Sequence, residues 1–175
     1  MKRLTLVSLV LLLILVAAVP VYADKPVTGS EDVKVDWEVF DCKDYGNYDF
    51  KVQDYTVAHH WWTDHYDKDG NWVKTEWHST GVDHVYNSNN PDRFAEGHYA
   101  SMCHIRPAPG EPGWVIVVCT GVDWNIQLPG EGTVFHFSGL EEGKVFDNEW
   151  DQFMQLKRAG LDKFDYETLC RYLAE

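Results

Sequence analysis

Two runs of the chain hold residues able to do chemistry at close spacing. His59-His60-Trp61-Trp62-Thr63-Asp64-His65-Tyr66 is followed, across Asp67-Lys68-Asp69-Gly70-Asn71, by Trp72-Val73-Lys74-Thr75-Glu76-Trp77-His78. The Asp-x-Asp-Gly-Asn segment reads as a type I turn with a bulge at Gly70, which joins the runs as a β-hairpin. With Asp67 facing Asn71, Trp61 faces Trp77 and Thr63 faces Thr75 on one side of the ribbon. On the other side Asp64 faces Lys74, Trp62 faces Glu76 and His60 faces His78. Facing side chains stand about 5 Å apart at Cβ, so His60, His78 and Glu76 could share one divalent metal. A row of polar side chains on a wet face needs no metal and is the competing reading. Counted as a calcium loop the turn offers Asp67, Asp69 and Glu76, but His65 would take the first ligand position and the flanks read as strands.

No other motif carries chemistry. His84, His98, His104 and His136 are scattered singly on predicted strands, and G-x-S-x-G and S-x-x-K are absent. No catalytic residue is therefore assigned. The aromatics remain: Trp61, Trp77, Trp124, Phe135 and Phe137 stand at alternating strand positions, and Val122, Trp124, Ile126 and Leu128 are expected to share a face. Such side chains fill a small β-barrel or line an apolar ligand cavity in a wider one.

Short runs rich in Val, Ile, Thr and aromatics, split by Gly, Asn, Asp and Pro, place strands at 37–41, 50–66, 72–79, 82–88, 97–106, 114–120, 122–128, 133–139, 143–147 and 151–158. Turns are expected at 67–71, 129–132 and 141–144. Asp165 can cap a short C-terminal helix presenting Tyr166, Leu169, Cys170 and Leu173 on one face. The expected fold is all-β, an antiparallel up-and-down barrel of about eight strands with that helix, or else a β-sandwich.

Lys2 and Arg3, the apolar stretch Leu4 to Val19, Pro20 and the small residues before Asp24 read as a signal peptide over 1–23. The apolar stretch falls short of the ~20 residues that span a bilayer. Residues 24–36 are polar and are expected to be flexible, leaving 37–175 as a single domain. An exported chain with four cysteines implies disulfides. Of three connectivities, Cys42–Cys170 with Cys103–Cys119 is preferred, because the second pair flanks the Pro/Gly loop 107–113 and the first would tie the domain ends together. The formal charge is −13 and becomes more negative once Lys2 and Arg3 leave, which argues against nucleic acid and anionic membranes as partners.

Phe40-Asp41-Cys42, the Tyr66 to Asn71 hairpin, the Pro129 to Gly132 turn and Leu169-Cys170 resemble a group of exported bacterial proteins. That resemblance implies the Cys42–Cys170 pairing. The strand plan is also similar to calycin-like and dirigent-like barrels, although no lipocalin G-x-W signature is present. The expected role is a secreted protein that binds a small apolar or aromatic molecule. Alternatives are a barrel cyclase, isomerase or metal-dependent enzyme using His60, His78 and Glu76, and an extracellular interaction module without a pocket.

Overall fold

The computed structural model describes residues 25–146 and 153–175. The expected signal peptide lies outside them. The chain forms seven long strands: β1 (Val27–Asp41), β2 (Lys51–Tyr66), β3 (Trp72–Asn87), β4 (Asn90–Pro107), β5 (Trp114–Leu128), β6 (Gly132–Phe146) and β7 (Met154–Phe164). They pair antiparallel in sequence order within one sheet, and helix α1 (Tyr166–Ala174) follows. Among the described residues β1 and β7 form no ladder with each other, so the closed barrel of about eight strands is instead an open seven-stranded sheet. The sheet is nonetheless strongly curled. Trp37 of β1 lies 6.2 Å from Trp124 of β5, and Phe40 stacks at 6.1 Å on Phe135 of β6.

The curl has a local cause. Gly121, Gly139 and Gly160 sit opposite one another on β5, β6 and β7, with φ of 138°, 156° and 150°. A Cβ at any of them would collide with the neighbouring strand's backbone at Ala100, Ala159 or Ser138. Such a glycine row lets three strands bend together at one height, as curved sheets require. These glycines, with Gly81 and the run through Gly143, are also why the ten short strands expected are seven long ones. Residues 141–144, expected to turn, pair within β6 with Cys119 to Ile116 on one side.

Residues 27–36, expected to be flexible, are most of β1 and pair with β2 from Asp64 to Tyr55. Val33, Val35 and Trp37 alternate with Asp32, Lys34 and Asp36, the period-2 pattern of a strand.

Helix α1 starts where expected. The Asp165 carboxylate accepts the Thr168 N–H at 3.1 Å, and Leu169, Cys170 and Leu173 are fully buried. The helix plugs one end of the curl, packing on Val52, Val85, Ile126 and Phe135. Its last carbonyls are taken up by the sheet: Asn87 donates to Leu173 O at 3.0 Å and Arg93 to Tyr172 O at 2.8 Å. A second, smaller core of Ile105, Val117 and Val145 lies at the other end.

Both preferred disulfides are present. Cys42, in a 3-10 turn after β1, joins Cys170 of α1, and Cys103 joins Cys119 directly across the β4–β5 ladder. The Cys42–Cys170 bridge closes a separation of 128 residues. On the chain-entropy account a loop of that size stabilises by about 4–5 kcal/mol. Replacing both Cys42 and Cys170 by Ala is expected to lower the urea-unfolding free energy by about 3–5 kcal/mol. An unchanged midpoint would show that α1 holds its place without the bridge.

Candidate functional site

The hairpin turn forms as expected, but the register beyond it does not. Asp67 Oδ1 accepts the Asp69 and Asn71 amides, each at 2.9 Å, and Asp67 N–H donates to Asn71 O at 2.9 Å. These bonds hold the Asp67 carboxyl below its usual range, with the Asn71 side chain contributing most. The turn itself accounts for the Asp67 carboxylate that a calcium reading would use, and Glu76 is paired with Lys74. One residue further on, Tyr66 faces Trp72 while His65 faces Lys74, so Val73 has no opposite partner and forms a bulge. Every later pair is shifted by one. Trp62 faces Trp77, Asp64 faces Thr75, Trp61 faces His78 and His60 faces Ser79.

A one-residue slip moves side chains to the other face of a sheet. His60 therefore lies on the inner face, against Trp77 at 5.1 Å, while His78 and Glu76 point outward. The expected His60/His78/Glu76 group is divided by the sheet. Glu76 pairs with Lys74 at 2.6 Å, and that ammonium holds its carboxyl below the usual range. Among the described residues no three His, Cys, Asp or Glu side chains are grouped to hold a metal ion.

The same slip assembles a cavity of about 780 Å³ at the end of the curl opposite α1. Trp62 and Trp77 stack on its wall with ring centres 5.2 Å apart and planes 10° from parallel. Trp72, Trp114 and Tyr66 complete the aromatic lining, with Ile105 and Val115 on the far side. The Cys103–Cys119 bridge lies beneath, pinning the two strands that carry Ile105 and Val115. The polar groups form one short chain: Trp72 Nε1 donates to Thr75 Oγ1 at 2.9 Å, and the Thr75 hydroxyl donates to Asp64 Oδ1. Gly29 on β1 faces Trp62, whose indole lies where a Cβ would be. The glycine thereby gives the ring a bare backbone to rest on.

Of the five aromatics expected to bind a ligand, only Trp77 lines this cavity. Trp61 lies on the outer face, stacked on His78 at 5.1 Å. Trp124 and Phe135 belong to the core beside α1, and Phe137 is buried under the Arg158 guanidinium at 3.9 Å. A second bulge, at Asp123, moves Val122 off the face that Trp124, Ile126 and Leu128 share. Trp62, Trp72, Trp114 and Tyr66 were missed. Their signal was the aromatic density on both arms of the hairpin, which only a correct register could turn inward.

Between the two cores the inner face is polar. Asp54 and Asp83 are 1% and 4% exposed, and both lean on the Thr56 hydroxyl, at 3.3 and 2.8 Å. One hydroxyl hydrogen can serve one carboxylate at a time, so the pair is best satisfied when one acid keeps its proton. Burial, then the Asp83 charge, pushes Asp54 up to about 7, and burial raises Asp83 as well. An acid raised in the folded state adds stability below its ordinary value of 3.8, and that stability fades as pH climbs through about 7. Asp54→Asn is thus expected to leave Tm nearly unchanged at pH 4. At pH 8 it should raise Tm by about 3–6 °C, the shift that ~1–2 kcal/mol gives a chain of this size. An equal effect at both pH values in a thermal-melt series would contradict the assignment.

The position of Trp62 is tested separately. Gly29→Val is expected to keep the β circular dichroism signal while displacing the Trp62 indole, read as a changed Trp62–Trp77 exciton band. An unaltered band would mean that the ring does not rest on Gly29.

No family model, curated protein or solved structure matches the chain, so the geometry of the cavity carries the functional argument.

Proposed function

We propose that this chain is an exported β-sheet binding protein that holds a small apolar or aromatic molecule in the tryptophan-walled end of its curled sheet. The observation that carries this reading is the cavity itself. Its volume of about 780 Å³ falls in the range of small-molecule sites, and its wall combines Trp62, Tyr66, Trp72, Trp77 and Trp114 with aliphatic residues and one short polar chain. Four half-buried tryptophans around an open space leave apolar surface that a bound molecule would cover. The larger core, at the α1 end, does not include them, while Trp72 and Trp77 also pack on the smaller one.

Export is supported by the cysteines, all four of which are in disulfides. No helix among the described residues is long and apolar enough to cross a membrane. The curl brings β1 toward β5 and β6, and the barrel reading is kept as the plan of which this open sheet is a variant. The division of His60 from His78 and Glu76 favours binding over the enzyme alternative, and the cavity favours it over a pocketless interaction module.

The test is intrinsic tryptophan fluorescence during titration with tert-butylbenzene, a compact neutral aromatic. Saturable quenching is expected, with Trp77→Ala and Trp62→Ala each weakening affinity about tenfold or more, the effect of losing ~1.4 kcal/mol of contact. Trp61→Ala, on the outer face, should bind as the parent does. Equal loss in all three variants, or no saturable signal, would overturn the reading.

A further inference from the structure

We infer that the ligand carries a cationic head, an alkyl- or quaternary ammonium group, seated between the indoles and the Asp64 carboxylate. The inference rests on the cavity being a ligand site and names the chemistry that site selects. Among the described lining residues Asp64 is the only charged side chain. No Lys, Arg or His nitrogen lies within 4 Å of it among the described residues, whereas Glu38, Glu76, Glu111, Asp162 and Glu131 each have a lysine or arginine partner. Among the described residues its one side-chain partner is the neutral Thr75 hydroxyl, on Oδ1. A carboxylate on an otherwise uncharged lining, held only by a neutral hydroxyl, is placed to pair with a cation that enters the cavity.

The rings point to the same chemistry. Trp62, Trp77, Trp72 and Trp114 surround one space, and indole faces carry the negative side of the aromatic quadrupole. Aromatic walls with one carboxylate are the setting in which ammonium groups are held, by cation–π attraction and one ion pair. An anionic ligand would meet no compensating charge on the described lining, in a chain whose formal charge is already −13. The net charge also raises the local concentration of cations at the mouth.

The experiment compares an isosteric pair on the disulfide-intact protein by isothermal titration calorimetry. Phenyltrimethylammonium and tert-butylbenzene share size and shape and differ in one positive charge. At pH 7 the cation is expected to bind at least tenfold more tightly than the hydrocarbon. Asp64→Asn keeps an oxygen for the Thr75 hydroxyl and removes the charge, so it should cost the cation about tenfold and bring the ratio between the two probes close to one. If the two probes bind equally, or the cation is indifferent to Asp64→Asn, the cationic head is wrong while the cavity reading stands. If neither probe binds, both fall. Should the variant fail to fold, the ratio between the probes on the parent protein still decides.

Discussion

The unpaired residue at Val73 governs the rest of the structure. Side chains alternate across a strand with a period of two, so a single extra residue decides which half of a hairpin faces in. With the bulge, Tyr66, Asp64 and Trp62 meet Trp72, Thr75 and Trp77 on the concave side. Without it, Trp62 would oppose Glu76, and the cavity would lose its stacked wall to an ion-pairing carboxylate. The outward set is equally consistent: Trp61 covers His78, and Glu76 meets Lys74 at the surface.

The curled sheet divides its length into zones with different tasks. At one end α1, the Cys42–Cys170 bridge and a ring of buried aliphatics supply the core. In the middle, buried acids and hydroxyls take the place of apolar packing, and the glycine row at Gly121, Gly139 and Gly160 lets the strands bend. At the other end the second disulfide ties β4 to β5 beneath an aromatic cavity. Stability concentrated at the α1 end leaves the far end free to keep open space, which a chain with a single central core could not do.

Much of this was legible in the sequence, and what was not has a physical reason. The Cys103–Cys119 bridge, the α1 face and the Asp67–Asn71 turn were readable because each depends on local residue types and spacing, and the Cys42–Cys170 bridge was left as the pairing that ties the domain ends. The strand count was not, because glycine signals a turn as well as a bend within a strand. Gly121 and Gly139 do the second, and the run 141–144 continues β6. The charged segment from Glu31 to Asp36 hid the alternation of Val33, Val35 and Trp37 that makes β1 a strand. The candidate site was the least legible part. Trp77 was found, but its neighbours depend on a bulge that Val73 itself does not announce. His60, His78 and Glu76 looked like a metal set only in the register the bulge abolishes.

The most direct test of this account is a nuclear Overhauser spectrum of the disulfide-intact protein with tryptophan side chains assigned. The bulged register predicts cross-peaks between the indole protons of Trp62 and Trp77, whose ring centres are 5.2 Å apart, and contacts between Trp61 and His78. Cross-peaks joining Trp61 to Trp77 would show the unbulged hairpin, turn Trp62 outward and remove the wall on which the cavity depends.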